Sequence, residues 1–276
     1  MERKWWRGVV PERGDPPPSV DTSVAHPARV YDYWLGGKDN FAADREVGEQ
    51  TLRSYPDLAL SVRGNRAFLG RSVRYLATEA GVRQFLDIGT GLPTADNTHE
   101  VAQAVAPESR VVYVDNDPIV LTHAHALLTS TEQGSTSYLD ADLHDTGTIL
   151  AEAARRLDLT QPVALMMLAI LQFIPDSEDP RGLVSQLMEA VPSGSFLVIS
   201  HPTADFSPKE AADSIGQYND QVAITATLRS QQETQRFFDG LELIDPGIVP
   251  TSKWRPDSEQ EAANPAGAWA GVGRKA

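Results

Sequence analysis

Three aspartates placed at the ends of apolar runs carry the first chemical signal in this chain. Asp87 stands in Phe85-Leu86-Asp87-Ile88 and leads into Gly89-Thr90-Gly91-Leu92-Pro93-Thr94. Asp115 closes Val111-Val112-Tyr113-Val114, and Asp142 lies in Asp140-Ala141-Asp142-Leu143. A glycine turn after one strand, with an acid at the tip of the next, is how an open α/β sheet grips an adenosine. The glycines admit a ligand close to the backbone, and the acid accepts hydrogen bonds from ribose hydroxyls. These residues point to an enzyme that uses a nucleoside cofactor.

For the three acids to converge, the runs that carry them must be neighbouring strands. Strands are expected at Gln84–Ile88, Val111–Val114, Thr136–Leu139, Val163–Leu168 and Phe196–Ile199. Between them, helices are expected at Thr94–Val105, Pro118–Leu128, Gly147–Arg156 and Pro180–Val191. Alternating apolar strands and helices imply a parallel sheet covered on both faces. Two closing strands follow at Leu241–Ile244 and Ala268–Val272, after helices within Pro208–Phe238 that fall outside the alternating rhythm. Ahead of the sheet, Arg29–Leu35 reads as a short amphipathic helix stopped by Gly36-Gly37, followed by helices over Phe41–Leu52 and Val62–Ala80. Residues 1–23, with Pro16-Pro17-Pro18, read as a loosely attached arm in which Trp5 and Trp6 are the unusual members.

Composition narrows the function. The 276 residues carry 38 acidic and 24 basic side chains, a formal net charge of −14. A surface of that sign repels phosphate backbones and disfavours a nucleic-acid partner. The absence of cysteine excludes disulfides, thiolate metal sites and cysteine nucleophiles. The His and acid spacings form no metal motif. No run approaches the length of a membrane span, and no apolar core follows the basic residues near the start, so a cytoplasmic protein is expected.

Two cofactors fit a glycine turn of this kind. A dinucleotide site calls for a third glycine where this chain has Thr94. S-adenosylmethionine carries no phosphate and needs only the turn beside its methionine part. Asp87 suits the cationic amino group of that ligand, and Asp142 followed by Leu143 suits an adenine amino group and ring.

With these residues in view, the chain resembles class I S-adenosylmethionine-dependent methyltransferases. More narrowly, it is similar to an actinobacterial family whose members carry a segment like Tyr31-Asp32-Tyr33-Trp34-Leu35-Gly36-Gly37-Lys38-Asp39-Asn40-Phe41, followed here by Gly64-Asn65-Arg66-Ala67-Phe68-Leu69. The resemblance runs from about Pro27 to the C-terminus. It implies a Rossmann-like seven-stranded sheet with the last strand inserted antiparallel and helices on both faces. An N-terminal helical extension or lid would span 24–80 and the methyltransferase domain 81–276, with a helical insertion near 204–238. It further implies that Gly89, Thr90 and Gly91 line the methionine end and that Asp115 holds the ribose. Asn116 or Asp117 borders the adenine, Asp142 and Leu143 flank it, and Leu168 and Ala169 sit near the reacting sulfonium. Gly37, Lys38 and Asn40 would fold over the cofactor, and Arg66 would bind its carboxylate. The family pattern has His after the fourth strand where this chain has Gln172. No base is therefore carried over to that position, and His201 and Tyr33 are the candidate proton acceptors. The expected activity is methyl transfer to a small-molecule acceptor. The alternatives are a protein that binds S-adenosylmethionine without transferring its methyl group, and an NAD-dependent oxidoreductase.

Overall fold

The computed structural model describes residues 21–120, 122 and 129–276. The arm with Trp5 and Trp6, and most of the expected helix after Pro118, lie outside the described residues. Three helices open the described chain: α1 (Pro27–Leu35), α2 (Ala42–Ser54) and α3 (Leu58–Thr78). His26 caps α1, Pro27 starts it with a φ suited to a first helical turn, and Gly36 ends it at φ +83°. Strand β1 (Gln84–Ile88), helix α4 (Thr98–Val105), β2 (Arg110–Asp115) and β3 (Ser135–Asp140) follow. After them come α5 (Thr146–Ala153), β4 (Ala164–Leu168), α6 (Pro180–Glu189) and β5 (Phe196–Pro202). The chain closes with α7 (Pro208–Asn219), α8 (Gln231–Gln235), β6 (Glu242–Leu243), β7 (Val249–Pro250), α9 (Glu259–Ala262) and β8 (Ala268–Arg274).

The strands form one sheet in the order β3-β2-β1-β4-β5-β8-β6, with β7 also on β8. Strands β1 to β5 pair in parallel, and β8 runs antiparallel between β5 and the β6/β7 pieces. Among the described residues the sheet therefore has eight strands rather than seven. The closing strand expected at Leu241–Ile244 is present as β6, Glu242–Leu243, and the additional strand is β7, a second short piece on β8 with no counterpart among the expected strands.

Alternate residues of each strand face opposite layers, which explains the nearly continuous apolar runs. Leu86, Ile88, Val112, Val114, Leu165 and Met167 face α5 and α6 through Ile149, Val184 and Leu187. Phe85, Val111, Tyr113, Met166 and Val198 face α3 through Phe68, Val73 and Leu76, with Trp254 packed between. Asp87 shares the parity of Phe85, so its carboxyl is buried under the α3/α4 layer. Helix α4 starts at Thr98 rather than Thr94. The Asn97 side chain accepts from the Thr94 N–H at 3.1 Å and donates to the Thr94 carbonyl, closing a turn ahead of the helix. Among the described residues no helix is long and apolar enough to cross a membrane.

Arg71 ties the last third of the chain to α3. It is 4% exposed, donates to the carbonyls of Trp254 (2.8 Å) and Thr251 (2.6 Å), and pairs with Glu261. Replacing it strands two buried carbonyls and a partly buried carboxylate. Arg71→Ala is expected to lose about 3 kcal/mol of stability in urea unfolding, and an effect below about 1 kcal/mol would show that water replaces the guanidinium.

Candidate functional site

At the C-terminal ends of β1, β2, β4 and β5 the chain leaves the sheet in diverging directions and opens a cavity of about 300 Å³. That is where an open α/β sheet binds its ligand. The turn after β1 builds one wall. Gly89 has φ +73°, and its N–H donates to Val114 O at 2.8 Å. A Cβ on Gly89 would collide with the Ile170 side chain. Gly91 has φ +64° and open space where a side chain would stand. Its N–H donates to the Asp115 carboxylate at 2.9 Å.

Asp115 takes that bond on one oxygen and the Asp117 N–H on the other, at 2.9 Å. A carboxylate oxygen has two lone-pair sites, so each oxygen retains one. Burial raises the Asp115 pKa, while the two backbone N–H groups hold it down. Asp87 is buried and accepts from Thr98 Oγ1 at 2.5 Å. Burial pushes its pKa up to about 6, against the pull of the Thr98 bond and the Arg66 charge. Arg66 lines the same end and donates to the carbonyls of Ala95 (3.1 Å) and Asp96 (3.3 Å). Beyond β3, Asn116 Nδ2 donates to Asp142 at 2.9 Å, and the His144 ring bridges Asp142 and Glu178. Burial of Asp142 opposes its ionisation, but the bonds from the His144 N–H, the His144 ring and Asn116 prevail and lower its pKa. The hydrogen bonds to Asp142 and Glu178 raise that of His144. Ala169, after β4, has a left-handed backbone at φ +51°, and its N–H donates to Ser200 O.

The cavity thus brings together Arg66, Asp87, Gly89, Thr90, Gly91, Asp115, Asn116, Asp142, Leu143, Leu168 and Ala169. Five other expected site residues stand outside its lining. Gly37, Lys38 and Asn40 do not fold over it. Asp32, 4% exposed, organises their loop: it accepts from the Asn40 amide at 2.8 Å and the Asp39 N–H at 3.0 Å. A side chain at Gly37 would run into the same carboxylate. Lys38 is on the surface. Tyr33 lies over α2, where the missing side chain of Gly48 makes room for its ring.

His201 is fully buried, and both ring nitrogens are engaged. Nε2 meets Arg229 at 2.8 Å, and arginine can only donate, so Nε2 accepts and Nδ1–H donates to Pro202 O at 2.9 Å. Burial pushes its pKa down to about 4, and the Arg229 charge adds to that. This imidazole is a structural acceptor and not an available base. Arg229 also donates to Leu171 O (2.9 Å), Ile174 O (2.8 Å) and Asp176 (2.7 Å), fixing the loop after β4.

The cavity also has an aromatic wall that the chain pattern signals only in part. Tyr31, Trp34, Tyr55, Phe173 and Tyr218 line the cavity. Tyr31 and Trp34 share one face of α1, the one signal available in advance, and their rings meet edge to face at 6.5 Å. Trp34 meets Tyr218 from α7 at 6.3 Å.

The sheet order, the antiparallel strand beside β5 and the acids at the ends of β1 and β2 define an S-adenosylmethionine-dependent methyltransferase of class I fold. A model of the S-adenosyl methyltransferase family matches residues 13–276, and the chain belongs to that family. A crystal structure of a DUF574 family protein from Streptomyces avermitilis is 48% identical, covers 94% of this chain and 100% of its own, and superposes with a TM-score of 0.91. A candidate methyltransferase from Thermobifida fusca is 39% identical over 94% of this chain and 98% of its own, with a TM-score of 0.85. The plantazolicin methyltransferase, crystallised with a substrate analogue and S-adenosylhomocysteine, shares the fold at 14% identity, covering 90% of this chain and 96% of its own (TM-score 0.52). No protein of curated function matches the chain.

The donor set fits the cofactor. S-adenosylmethionine presents an ammonium, two ribose hydroxyls and an adenine amino group, and the crevice presents Asp87, Asp115 and Asp142 at successive strand ends. The two glycines differ in what a methyl group would disturb. Gly91→Ala is expected to cost about 1 kcal/mol, from backbone strain alone. Gly89→Ala adds a collision with Ile170 and should cost at least about 1 kcal/mol more by thermal unfolding. Equal losses would contradict the close packing of the turn on the β4 loop.

Proposed function

We propose that this methyltransferase acts on a small-molecule acceptor held beside Leu168 and Ala169, and that the crevice residues share the cofactor between them. In this reading Asp115 accepts from both ribose hydroxyls through its free lone pairs. Asp87 faces the ammonium of the methionine part, and Arg66 its carboxylate. Gly89, Thr90 and Gly91 lie along the methionine part, Asn116, Asp142 and Leu143 surround the adenine, and Leu168 and Ala169 stand by the sulfur. The observation that carries the reading is the Gly91–Asp115 hydrogen bond, which pre-orients the carboxylate before a ligand arrives. When bound, S-adenosylmethionine supplies an activated methyl group on sulfur, so the protein contributes alignment and a dry site. The net charge of −14 favours a small molecule over a nucleic acid. We also infer that the chain falls in the actinobacterial group sharing the Tyr31–Phe41 segment, with 24–80 as an N-terminal unit on the methyltransferase domain.

Parallel calorimetric titrations with S-adenosylmethionine, S-adenosylhomocysteine and NAD test the assignment. Binding of the first two and not the third is expected; binding of NAD alone overturns it. Asp115→Ala removes two charge-assisted hydrogen bonds and should weaken S-adenosylhomocysteine binding by about 100-fold. A change below threefold would remove Asp115 from the ribose site.

Asp87 adds a pH dependence. With a pKa near 6 it is ionised at neutral pH and mostly protonated at pH 5. Only the ionised form attracts an ammonium, so affinity should fall as pH falls. S-adenosylhomocysteine is expected to bind about tenfold more weakly at pH 5 than at pH 7.5, and Asp87→Asn should flatten that profile. A profile that stays steep in the variant would assign the titration to another group.

A further inference from the structure

The lining of the cavity changes character across the sheet. Its charged and histidine side chains are His26, Arg66, Asp87, Asp115, Asp142 and His144. Asp87, Asp115 and Asp142 stand at the ends of β1 and β2 and just past β3. His26 pairs with Asp117 at 2.8 Å and His144 with Asp142, while Arg66 reaches the loop after β1. The lining from the β4, β5 and β8 side is neutral: Ala169, Gln172, Phe173, Pro202, Thr203 and Ala268 are examples. Helix α7 and the segment after it add Ser214, Ile215, Tyr218, Ile224, Ala226 and Leu228, again without charge. Of the five aromatic residues of the lining, Phe173 and Tyr218 belong to this neutral half, and Tyr31, Trp34 and Tyr55 come from α1 and the end of α2.

Three residues of the lining carry a buried polar atom with no hydrogen-bond partner among the described residues: Asn65 Oδ1 on α3, and Gln172 Oε1 and Tyr218 OH in the neutral half. Such atoms are rare in folded proteins, and each calls for a partner. The Gln172 amide is fixed in orientation. Gln172 Nε2 donates to Ala169 O at 2.7 Å, and Asn65 Nδ2 donates to Tyr31 OH at 2.9 Å. A backbone carbonyl can only accept, so Gln172 cannot turn its amide without losing that bond, and its acceptor oxygen is the atom left over. The Gln172 backbone is held as well, because Thr227 N–H donates to its carbonyl at 2.8 Å. A partner for these oxygens must bring an N–H or O–H.

We propose that the acceptor of this methyltransferase is a neutral, planar aromatic molecule bearing an O–H or N–H, and that Gln172 selects it by accepting that hydrogen bond. The proposal rests on the methyltransferase reading of the same cavity. An anionic acceptor would enter a half with no cation to compensate its desolvation, and a cationic one would find no carboxylate there. Aromatic walls favour a flat ring over an aliphatic skeleton of the same size. In the transfer, a lone pair on the acceptor oxygen or nitrogen forms the bond to the methyl carbon. The carbon–sulfur pair returns to sulfur, and the acceptor proton passes to water.

The test starts from protein shown by calorimetry to bind S-adenosylhomocysteine; failure at that step refutes the methyltransferase reading and not this proposal. The saturated protein is then titrated with naphthol, naphthoate, decalol and naphthalene. Naphthol is expected to bind at least tenfold more tightly than naphthoate or decalol. Gln172→Met is expected to weaken naphthol about tenfold while leaving naphthalene unchanged. Should that variant fail to fold by thermal unfolding, Gln172→Leu carries the same comparison. Equal or tighter binding of naphthoate overturns the charge argument, equal binding of decalol the aromatic one, and unchanged naphthol affinity in the variant the role of Gln172. Absence of naphthol binding to the saturated protein overturns the proposal as a whole.

Discussion

The hydrogen bond from the Gly91 N–H to the Asp115 carboxylate ties the turn after β1 to the end of β2, beside the bond from the Gly89 N–H to Val114 O. It requires a backbone at φ +64°, which an L side chain adopts only with strain, and a carboxylate kept at the sheet edge by a second N–H from Asp117. The turn beside it needs Gly89, because the Ile170 side chain of the β4 loop occupies the place of a Cβ. Three strand ends thereby meet in one packed unit: β1 through its glycines, β2 through its acid and β4 through its loop. The crevice is the gap this unit leaves, and its shape follows from the order in which the strands lie.

That order also sorts the chemistry. Acids end β1 and β2 and follow β3, while β4, β5 and β8 bring neutral residues to the cavity. Arg229 maintains the neutral side. It is 3% exposed and binds two carbonyls of the β4 loop, Asp176 and His201 at once. Its charge is used on the protein rather than toward a ligand, and it leaves His201 neutral. No general base is required by this arrangement, since the cofactor arrives activated and catalysis rests on placement.

What could be seen in advance divides along physical lines. The strands of the parallel sheet were legible because burial on both faces demands unbroken apolar runs. The glycine turn was legible because left-handed backbone and a close neighbour call for glycine at short spacing. His201 was misjudged because its position after β5 is visible in the chain, whereas the arginine that occupies its ring nitrogen comes from a distant segment. The Gly36–Asn40 loop was read as a cofactor lid, because nothing in the local pattern shows that Asp32 would take its N–H groups. Strand β7 has no signal of its own in the chain, because its two residues, Val249 and Pro250, are defined only by pairing with β8, a partner later in the sequence. Of the aromatic wall, the Tyr31/Trp34 pair was visible as helical spacing. Tyr218 belongs to another helix, and only packing brings it there.

The most direct test of the account is a crystal structure of the protein with S-adenosylhomocysteine. The account predicts the ribose against Asp115, the adenine between Asn116, Asp142 and Leu143, the sulfur toward Ala169, and the aromatic half left open beside it. A nucleoside lying among Tyr31, Trp34 and Tyr218, with Asp115 still bonded only to Gly91 and Asp117, would contradict it.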